Sequence, residues 1–208
     1  HLRTDPQFKF ASKQALLDGY DAIRSRVDAA VPKLFTLTPR SPFEIRPVPE
    51  YSERSQAAGH YRPGTPDGSR PGIFFVNTYD LPSRTTPRME TLFLHEAIPG
   101  HHFQIALAQE NESLPNFMRF DGNTAFAEGW ALYAESLGPE LGMFTDPYQA
   151  FGSLDDEMLR AIRLVVDTGI HARGWSREQA IRYMLDNSAQ SETDARAGGQ
   201  EGLDDRGA

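Results

Sequence analysis

The sequence predicts a mainly helical α+β domain with a short antiparallel sheet, and three observations indicate it. Apolar residues recur at three- and four-residue steps over several long segments, which is typical of amphipathic helices. Two short β-type runs lie in a segment rich in Pro and Gly, which favours a few strands joined by loops. The chain has 208 residues, of which 39% are hydrophobic, and this is enough apolar material for a core.

The first helix and the strands lie in the N-terminal part of the chain. Apolar positions at helical spacing predict a helix over residues 11–31, which Pro32 ends. The strand-like runs cover residues 43–48 and 72–78. The run from Ile73 to Val76 is apolar at every position, so we expect it to be covered on both faces.

Helical signals follow from Thr86, which caps a segment with Pro87 at its first position. Pro99 and Gly100 interrupt this helix, and a second one is predicted from about His101 to Gln109.

Capping patterns predict three further helices. Thr124 caps one of them, and Ser153 with Asp156 precedes a long one. Ser176 with Gln179 opens the third, which ends near Asn187.

The C-terminal end divides the chain into a domain and a tail. Ser191 with Asp194 repeats the capping pattern, but residues 198–208 are polar and Gly-rich and cannot propagate a helix. We therefore predict one domain over residues 1–197 and a disordered tail over 198–208.

Composition excludes several classes of function. With 21 basic and 29 acidic residues the net charge is −8, which disfavours nucleic acid and anionic membranes as partners. No apolar run is long enough to span a membrane, and no leader peptide is recognisable, so the compartment stays open. The absence of Cys excludes disulfides and thiolate metal sites, so a metal must use His and carboxylate ligands.

The segment His-Glu-Ala-Ile-Pro-Gly-His-His, residues 95–102, carries the strongest chemical signal. A His-Glu pair on a helix is typical of zinc hydrolases, in which the imidazole binds Zn²⁺ and the adjacent carboxylate activates a water molecule. This pattern makes His95 a candidate zinc ligand and Glu96 the candidate general base.

The spacing of the second histidine requires a break in the helix. His101 lies six residues after His95, so a regular helix would turn it about 240° away. Pro99 removes a backbone donor and Gly100 tolerates positive φ, so this pair can swing His101 back. His102 would share a face with His95 but lie about 10.5 Å further along the axis. We favour His101 as the second ligand and keep His102 as the alternative.

The third ligand is predicted in the segment Phe-Ala-Glu-Gly-Trp-Ala-Leu-Tyr-Ala-Glu. Glu128 lies in the first turn of an otherwise apolar helix, where a bare carboxylate is costly to bury without a cation. Two His and one Glu are a common zinc ligand set. Glu135 lies seven residues further on the same face and is predicted to orient a liganding histidine.

One face of a later helix carries four polar side chains at steps of three, four and four: Arg160, Arg163, Asp167 and His171. Asp167 can fix the tautomer of His171, and His171 can then donate to the oxyanion of a carbonyl under attack. The two arginines are candidates to bind a substrate carboxylate.

The strand-like run over residues 72–78 precedes the His-Glu helix. We expect it to be an edge strand to which a peptide substrate can add. Asn77 and Tyr79 would then lie near the substrate.

Three segments together resemble the bacterial domain-of-unknown-function family 885: His-Glu-Ala-Ile-Pro-Gly-His-His-Phe-Gln, Ala-Glu-Gly-Trp-Ala-Leu-Tyr-Ala-Glu and Arg-Leu-Val-Val-Asp-Thr-Gly-Ile-His. The resemblance runs from about residue 10 to residue 197 and implies a zincin-like fold. The Glu-Gly-Trp-Ala element is also similar to the zinc-binding element of aminopeptidase N-type enzymes, which again implies Glu128 as a ligand. Members are longer and some are lipoproteins, which implies a C-terminal-half fragment from the bacterial periplasm, a secreted protein or a lipoprotein.

These observations predict a zincin-like, gluzincin-type hydrolase that cleaves a peptide or small amide substrate. His95, His101 and Glu128 would hold Zn²⁺, Glu96 would take the proton from water, and His171 would assist at the oxyanion. Two alternatives stay open. Two His and one carboxylate also describe a non-haem iron enzyme, although Glu96 would have no role there. The chain could also be a truncated remnant that binds metal without catalysis.

Overall fold

The computed structural model describes Leu2 and residues 4–197 of the chain. Within these residues the fold is mainly helical with one small sheet, so the α+β prediction is confirmed. The helices are α1 (Lys13–Ala30), α2 (Met89–Glu96), α3 (His101–Glu110), α4 (Asn116–Phe120), α5 (Thr124–Ser136), α6 (Pro147–Arg173) and α7 (Arg177–Asn187). The strands are β1 (Phe43–Pro47), β2 (Gly59–Arg62) and β3 (Gly72–Val76).

The sheet has the strand order β1-β3-β2. β1 pairs with β3 in parallel and β2 pairs with β3 in antiparallel, so the prediction of an antiparallel sheet is wrong for one of its two pairings. The prediction that residues 72–78 form an edge strand is also wrong, since β3 is central. Both errors have one cause: the short, mostly polar β2 shows no alternation of apolar residues and was not expected.

β3 is covered on both faces, as its uniformly apolar sequence predicts. Phe74 and Val76 belong to the main core, whereas Ile73 and Phe75 pack with Val48 on the other side. The ring of Tyr20 in α1 meets the edge of Phe74 with ring centroids 5.1 Å apart. α1 therefore anchors the sheet, and α2 and α3 complete the main core beside it.

A second core forms between α6 and α7, where Leu159, Ile162, Val166 and Ile170 pack against Ala180, Ile181 and Met184. The capping box of Ser176 and Gln179 at the start of α7 is present as predicted.

Two predicted helix starts differ from the structure. Asn123, not Thr124, caps α5, because its side chain accepts a hydrogen bond from the backbone N–H of Phe126. α6 begins at Pro147 with Asp146 as its cap, well before Ser153. An acceptor followed by proline at the first helical position provides a complete start signal, so the later Ser153 lies inside the helix.

The remaining boundaries are close to expectation. The predicted cap at Thr86 is wrong, however, because Thr86–Arg88 form a 3₁₀ turn after Thr85 with no side-chain cap, and α2 continues at Met89. The backbone N–H of Asp194 donates to Ser191 Oγ over 3.1 Å, and residues 192–197 are helical. The predicted disordered tail, residues 198–208, lies outside the described residues. Within the described part of the chain, no helix has the length and apolar character that crossing a membrane requires.

Candidate metal centre

The two histidine-bearing helices are separated by a sharp break. α2 ends at Glu96, Ala97 leaves the helical region with φ −107° and ψ −101°, and α3 starts at His101. The Ile98–Pro99 peptide is cis, and the Pro99 carbonyl accepts a hydrogen bond from Trp130 Nε1 over 2.7 Å. The predicted interruption is thus confirmed, and α5 holds it in place through Trp130.

Gly100 is required at this break for a reason other than the expected one. Its φ is −78°, so it does not use the positive φ that only glycine adopts freely. A Cβ on Gly100 would instead lie 1.9 Å from the His95 carbonyl oxygen and 2.3 Å from that of Leu94. The last turn of α2 and the start of α3 therefore approach too closely for any side chain at this position.

The break brings His95 and His101 together with Glu128. The ring centroids of the two histidines are 4.6 Å apart, with their planes at 84°. Glu128 Oε2 lies 3.4 Å from His95 Nε2, and its Oε1 lies 3.5 Å from His101 Nε2. Among the described residues this is the one group of His and acidic side chains with metal-site geometry, its ligand atoms all within 4.8 Å of one another.

The spacing of these atoms fits zinc. A tetrahedral ion about 2.0–2.1 Å from its ligands holds them roughly 3.4 Å apart. Both imidazole–carboxylate distances are close to this value, each to a different oxygen of Glu128, and three protein ligands leave a fourth position for water or substrate. His95, His101 and Glu128 are therefore suited to hold Zn²⁺.

His102, the alternative second ligand, faces another part of the molecule. Its Nδ1 lies 2.9 Å from the Tyr61 hydroxyl, and its ring packs 4.7 Å from that of Phe43. Burial and the nearby positive charge of Arg24 lower its pKa to about 4. His102 is thus a neutral residue that packs beneath β2. Of the two candidate histidines, the structure therefore favours His101 as the second ligand.

His95 is oriented from behind by two residues. Its Nδ1 lies 2.6 Å from Glu135 Oε1, and Thr91 Oγ1 donates to Glu135 Oε2 over 3.1 Å. An Nδ1–H that donates to Glu135 leaves Nε2 of His95 free to bind a metal, as predicted for Glu135. His101 lacks this support, because its buried Nδ1 has no hydrogen-bond partner among the described residues.

The electrostatics of the metal-free cluster couple the histidines to the carboxylates. Burial lowers the pKa of His95, but hydrogen bonds with Glu128 and Glu135 outweigh this and raise it to about 9. The hydrogen bonds from His101 and His95 hold the pKa of Glu128 far below its usual range. In the absence of metal, a proton on His95 thus compensates part of the acidic charge.

Glu96 lies beside the cluster and is almost fully buried. Burial raises its pKa, while the charges of His95 and His101 act in the opposite direction. A carboxylate whose pKa is raised toward neutrality is suited to accept and release a proton.

The cluster opens into a cleft with a volume of about 330 Å³. Residues 57–61, which include the start of β2, form one wall, and Arg160 and Arg163 of α6 lie on another. Arg160 Nη2 approaches His95 Nδ1 at 3.2 Å and Glu135 Oε1 at 3.7 Å. Both arginines predicted to bind substrate are thus placed in the cleft.

Four other predicted site residues lie away from the cleft lining. Asp167 and His171 form a pair 3.6 Å apart near the C-terminal end of α6. His171 is 11 residues beyond Arg160, which corresponds to about 16 Å along the helix. These two residues are therefore not placed to act on a substrate at the histidine cluster.

Asn77 and Tyr79 follow the central strand instead of an edge strand. The amide of Asn77 is buried and donates to the carbonyls of Glu53 and Gln56 over 2.7 and 2.8 Å. Tyr79 packs beneath the guanidinium of Arg54. Asn77 thus holds a loop, and neither residue lies in the lining of the cleft at the histidine cluster, where they were expected to contact substrate.

Comparison with known proteins assigns the chain to a family. Residues 1–199 match the family described as "Bacterial protein of unknown function (DUF885)". The chain belongs to this family. The match confirms the predicted family membership. No curated protein matches the DUF885 chain.

The DUF885 chain is also similar to a solved structure, described as that of the putative lipoprotein from Colwellia psychrerythraea. The sequences are 37% identical and the TM-score is 0.91. The similarity covers 97% of this chain and 35% of the other, so the chain spans about a third of that protein's length.

Sequence reasoning missed two residues that shape the site. Thr91 lies four residues before His95 on the same helical face, and this spacing could have identified it. Tyr61 lies on β2, and its backbone N–H interacts with Glu96. No local pattern marks this contact, because it depends on which strand forms the edge.

Proposed function

We propose that this DUF885 chain is a zinc-dependent hydrolase of the zincin class that acts on peptide or related amide bonds. The observation that carries the proposal is the convergence of His95, His101 and Glu128, with the buried carboxylate of Glu96 beside them in an open cleft. Among hydrolases, this combination of two imidazoles, one ligating carboxylate and one free carboxylate is typical of zinc peptidases.

The chemistry divides between the ion and the protein. Zinc, when bound, would supply a Lewis acid for the carbonyl and lower the pKa of water. Glu96 accepts a proton from the attacking water and returns it to the leaving nitrogen, a role that its raised pKa favours. Glu135 holds His95 in the orientation and tautomer that expose Nε2.

The wall formed by residues 57–61 favours an extended substrate. β2 pairs with β3 along one side only, and its other edge is a strand edge of the sheet. Peptides add to such edges through main-chain hydrogen bonds. In this proposal the peptide substrate therefore adds to β2, and not to residues 72–78 as the sequence predicts.

Zinc binding is tested first, by elemental analysis of the purified protein. The parent should contain one equivalent of zinc, and His95→Ala, His101→Ala and Glu128→Ala should each lose it. His171→Ala is the matched control, because it removes a histidine outside the cleft. Zinc retained in all three ligand variants, or iron found in place of zinc in the parent, would contradict the proposal.

Hydrolysis is tested with Glu96→Gln, which preserves size and removes the base. This variant should keep its zinc but cleave a mixture of short peptides about 10²–10⁴ times more slowly than the parent. Parent activity that Glu96→Gln leaves unchanged would exclude this mechanism. A zinc-loaded parent with no activity on any amide would favour a non-catalytic metal-binding role.

The proposed location follows from the solved relative, which is described as a lipoprotein. We propose that this chain also acts outside the cytoplasm, either in the periplasm or as a secreted protein. Fractionation of the native host should recover the protein with periplasmic or membrane-associated material.

A further inference from the structure

A second, smaller cavity adjoins the cleft on the side of α1 and α6. It has a volume of about 60 Å³ and is called the inner cavity below. Leu92, Gln190 and Asp194 line both the inner cavity and the cleft. At these positions a single layer of side chains lies between the inner cavity and the cleft.

The charges around the inner cavity are unequally paired. Arg84 Nη1 donates to Asp194 Oδ1 over 2.6 Å, and Arg88 Nε donates to Asp156 Oδ1 over 2.6 Å. Arg88 Nη1 also lies 3.9 Å from Asp194 Oδ2, so the two arginines share these two aspartates. Asp155 lines the inner cavity and forms no salt bridge with either arginine among the described residues, although its charge is one of those that raise the pKa of Arg88.

Asp155 is also incompletely hydrogen-bonded. Its Oδ1 accepts the backbone N–H of Ala189 over 2.7 Å, but its Oδ2 is buried and has no partner among the described residues. Gln190 Oε1, on the same wall, is buried without a partner in the same part of the chain. The exposed fractions of Asp155 and Gln190 are 6% and 3%, so bulk water does not solvate them.

Both unsatisfied atoms are acceptors, and one belongs to a carboxylate. A buried carboxylate without a cation is costly, and an unmet acceptor adds to that cost. A ligand that donates hydrogen bonds and carries positive charge would satisfy both atoms. A cavity of about 60 Å³ accommodates such a group, since one water molecule needs roughly 10–15 Å³ by the same kind of measure.

We propose that the inner cavity binds the free α-ammonium group of a peptide whose scissile bond lies at the histidine cluster. Asp155 and Gln190 accept its hydrogen bonds, and Asp155 supplies the opposite charge. The inference rests on the proposed hydrolase function and assigns its substrates: short peptides with an unblocked amino terminus. A free monovalent cation shares part of this chemistry, and the experiment separates the two.

Binding is measured by calorimetry on zinc-loaded protein with leucinamide and N-acetyl-leucinamide as probes. Leucinamide should bind, and the acetylated probe should bind about 10- to 100-fold more weakly, as expected for loss of a charge-assisted hydrogen bond. Asp155→Asn should remove the difference, because it keeps an acceptor for Ala189 but loses the charge. Asp186→Asn, on the exposed face of α7, is the control and should retain the difference.

The same three proteins are then compared for cleavage of one peptide in free and acetylated form. Asp155→Asn should raise KM for the free peptide alone and leave zinc content and cleavage of the acetylated peptide unchanged. Equal affinity of the parent for both probes, or an unchanged preference in Asp155→Asn, would overturn the inference even if hydrolysis is found. Amine binding that depends on Asp155 without any hydrolysis would support the cavity and refute the hydrolase.

Ammonium chloride and potassium chloride serve as competitors. Competition by ammonium at millimolar concentration with leucinamide bound more tightly would support the substrate assignment. Tight binding of either ion that leucinamide does not displace would overturn it in favour of a free cation site.

Discussion

Two helical regions carry the polar residues predicted to act at the site, and they differ in whether the helix is interrupted. In the α2–α3 region, a break lets His95 and His101 meet with ring centroids 4.6 Å apart, although six residues separate them. In α6, 27 residues continue without interruption, so Arg160 reaches the cleft whereas His171 stays three turns away.

The difference shows what a regular helix can and cannot do for a site. An unbroken helix keeps every residue at a fixed rise and angle, so only those within about one turn of a point can serve it. A break removes that constraint, provided that the surrounding packing holds the new geometry. Five predictions test this contrast, beginning with the largest effect.

Gly100→Ala should abolish the convergence at the break. Its methyl group would collide with the carbonyls of His95 and Leu94, and overpacking of this kind typically costs about 1–3 kcal/mol or more in the free energy of unfolding. We expect zinc binding to be lost and the melting temperature to fall. Elemental analysis and thermal unfolding measure both.

Gly129→Ala is the matched control. It lies in α5 next to Glu128, where an added Cβ would meet nothing within 4 Å. Because alanine favours helix over glycine, this variant should be as stable as the parent or more stable, by up to about 1 kcal/mol. Retained zinc in Gly100→Ala would mean that the close contact does not determine the geometry of the break.

Zinc affinity should depend on pH because the metal must displace a proton from His95. The carboxylates of Glu128 and Glu135 raise the pKa of His95 to about 9. The apparent affinity should therefore rise about tenfold per pH unit up to about pH 9 and level off above it. Competition titrations with a chelator at several pH values would show this, and a flat profile would contradict the assignment of His95.

The same raised pKa makes a prediction for the stability of the zinc-free protein. A protonated His95 stabilises the folded state at pH values below its ordinary pKa of about 6.5, and this contribution is lost as pH rises through about 9. The free energy of unfolding should fall by about 3 kcal/mol at most over that range. Denaturant unfolding of the parent and of His95→Gln would measure the fall, which should be absent in the variant.

Glu135→Gln should weaken zinc binding about 10- to 100-fold without loss of the fold, since it removes the charge that orients His95 from behind. Glu157→Gln, on the exposed side of α6, is the control and should leave zinc affinity unchanged. An unaffected Glu135→Gln would mean that packing alone orients the ring.

The smallest effects are expected in α6. Arg160→Met should change zinc affinity only severalfold, because Arg160 contacts His95 and Glu135 from the side. His171→Ala should not change it, because His171 lies outside the cleft. An effect of His171→Ala as large as that of Arg160→Met would show that the two ends of α6 are coupled.

Much of the architecture could be predicted because it depends on local signals. The apolar spacing of α1, the capping box of α7 and the doubly covered β3 agree with expectation. β2 was missed because four mostly polar residues show no alternation, and that omission led to the wrong edge strand.

The sequence by itself determined which residue types are available to a metal, where the helix between His95 and His101 must end, and which family the chain resembles. These follow from local chemistry: imidazole and carboxylate ligands, a proline that cannot continue a helix, and motif order. Only the tertiary structure decided that His101, and not His102, faces Glu128. It also decided that β2 borders the cleft and that His171 lies outside the cleft. Those outcomes depend on contacts between residues far apart in the chain, and no local pattern encodes the distance between them.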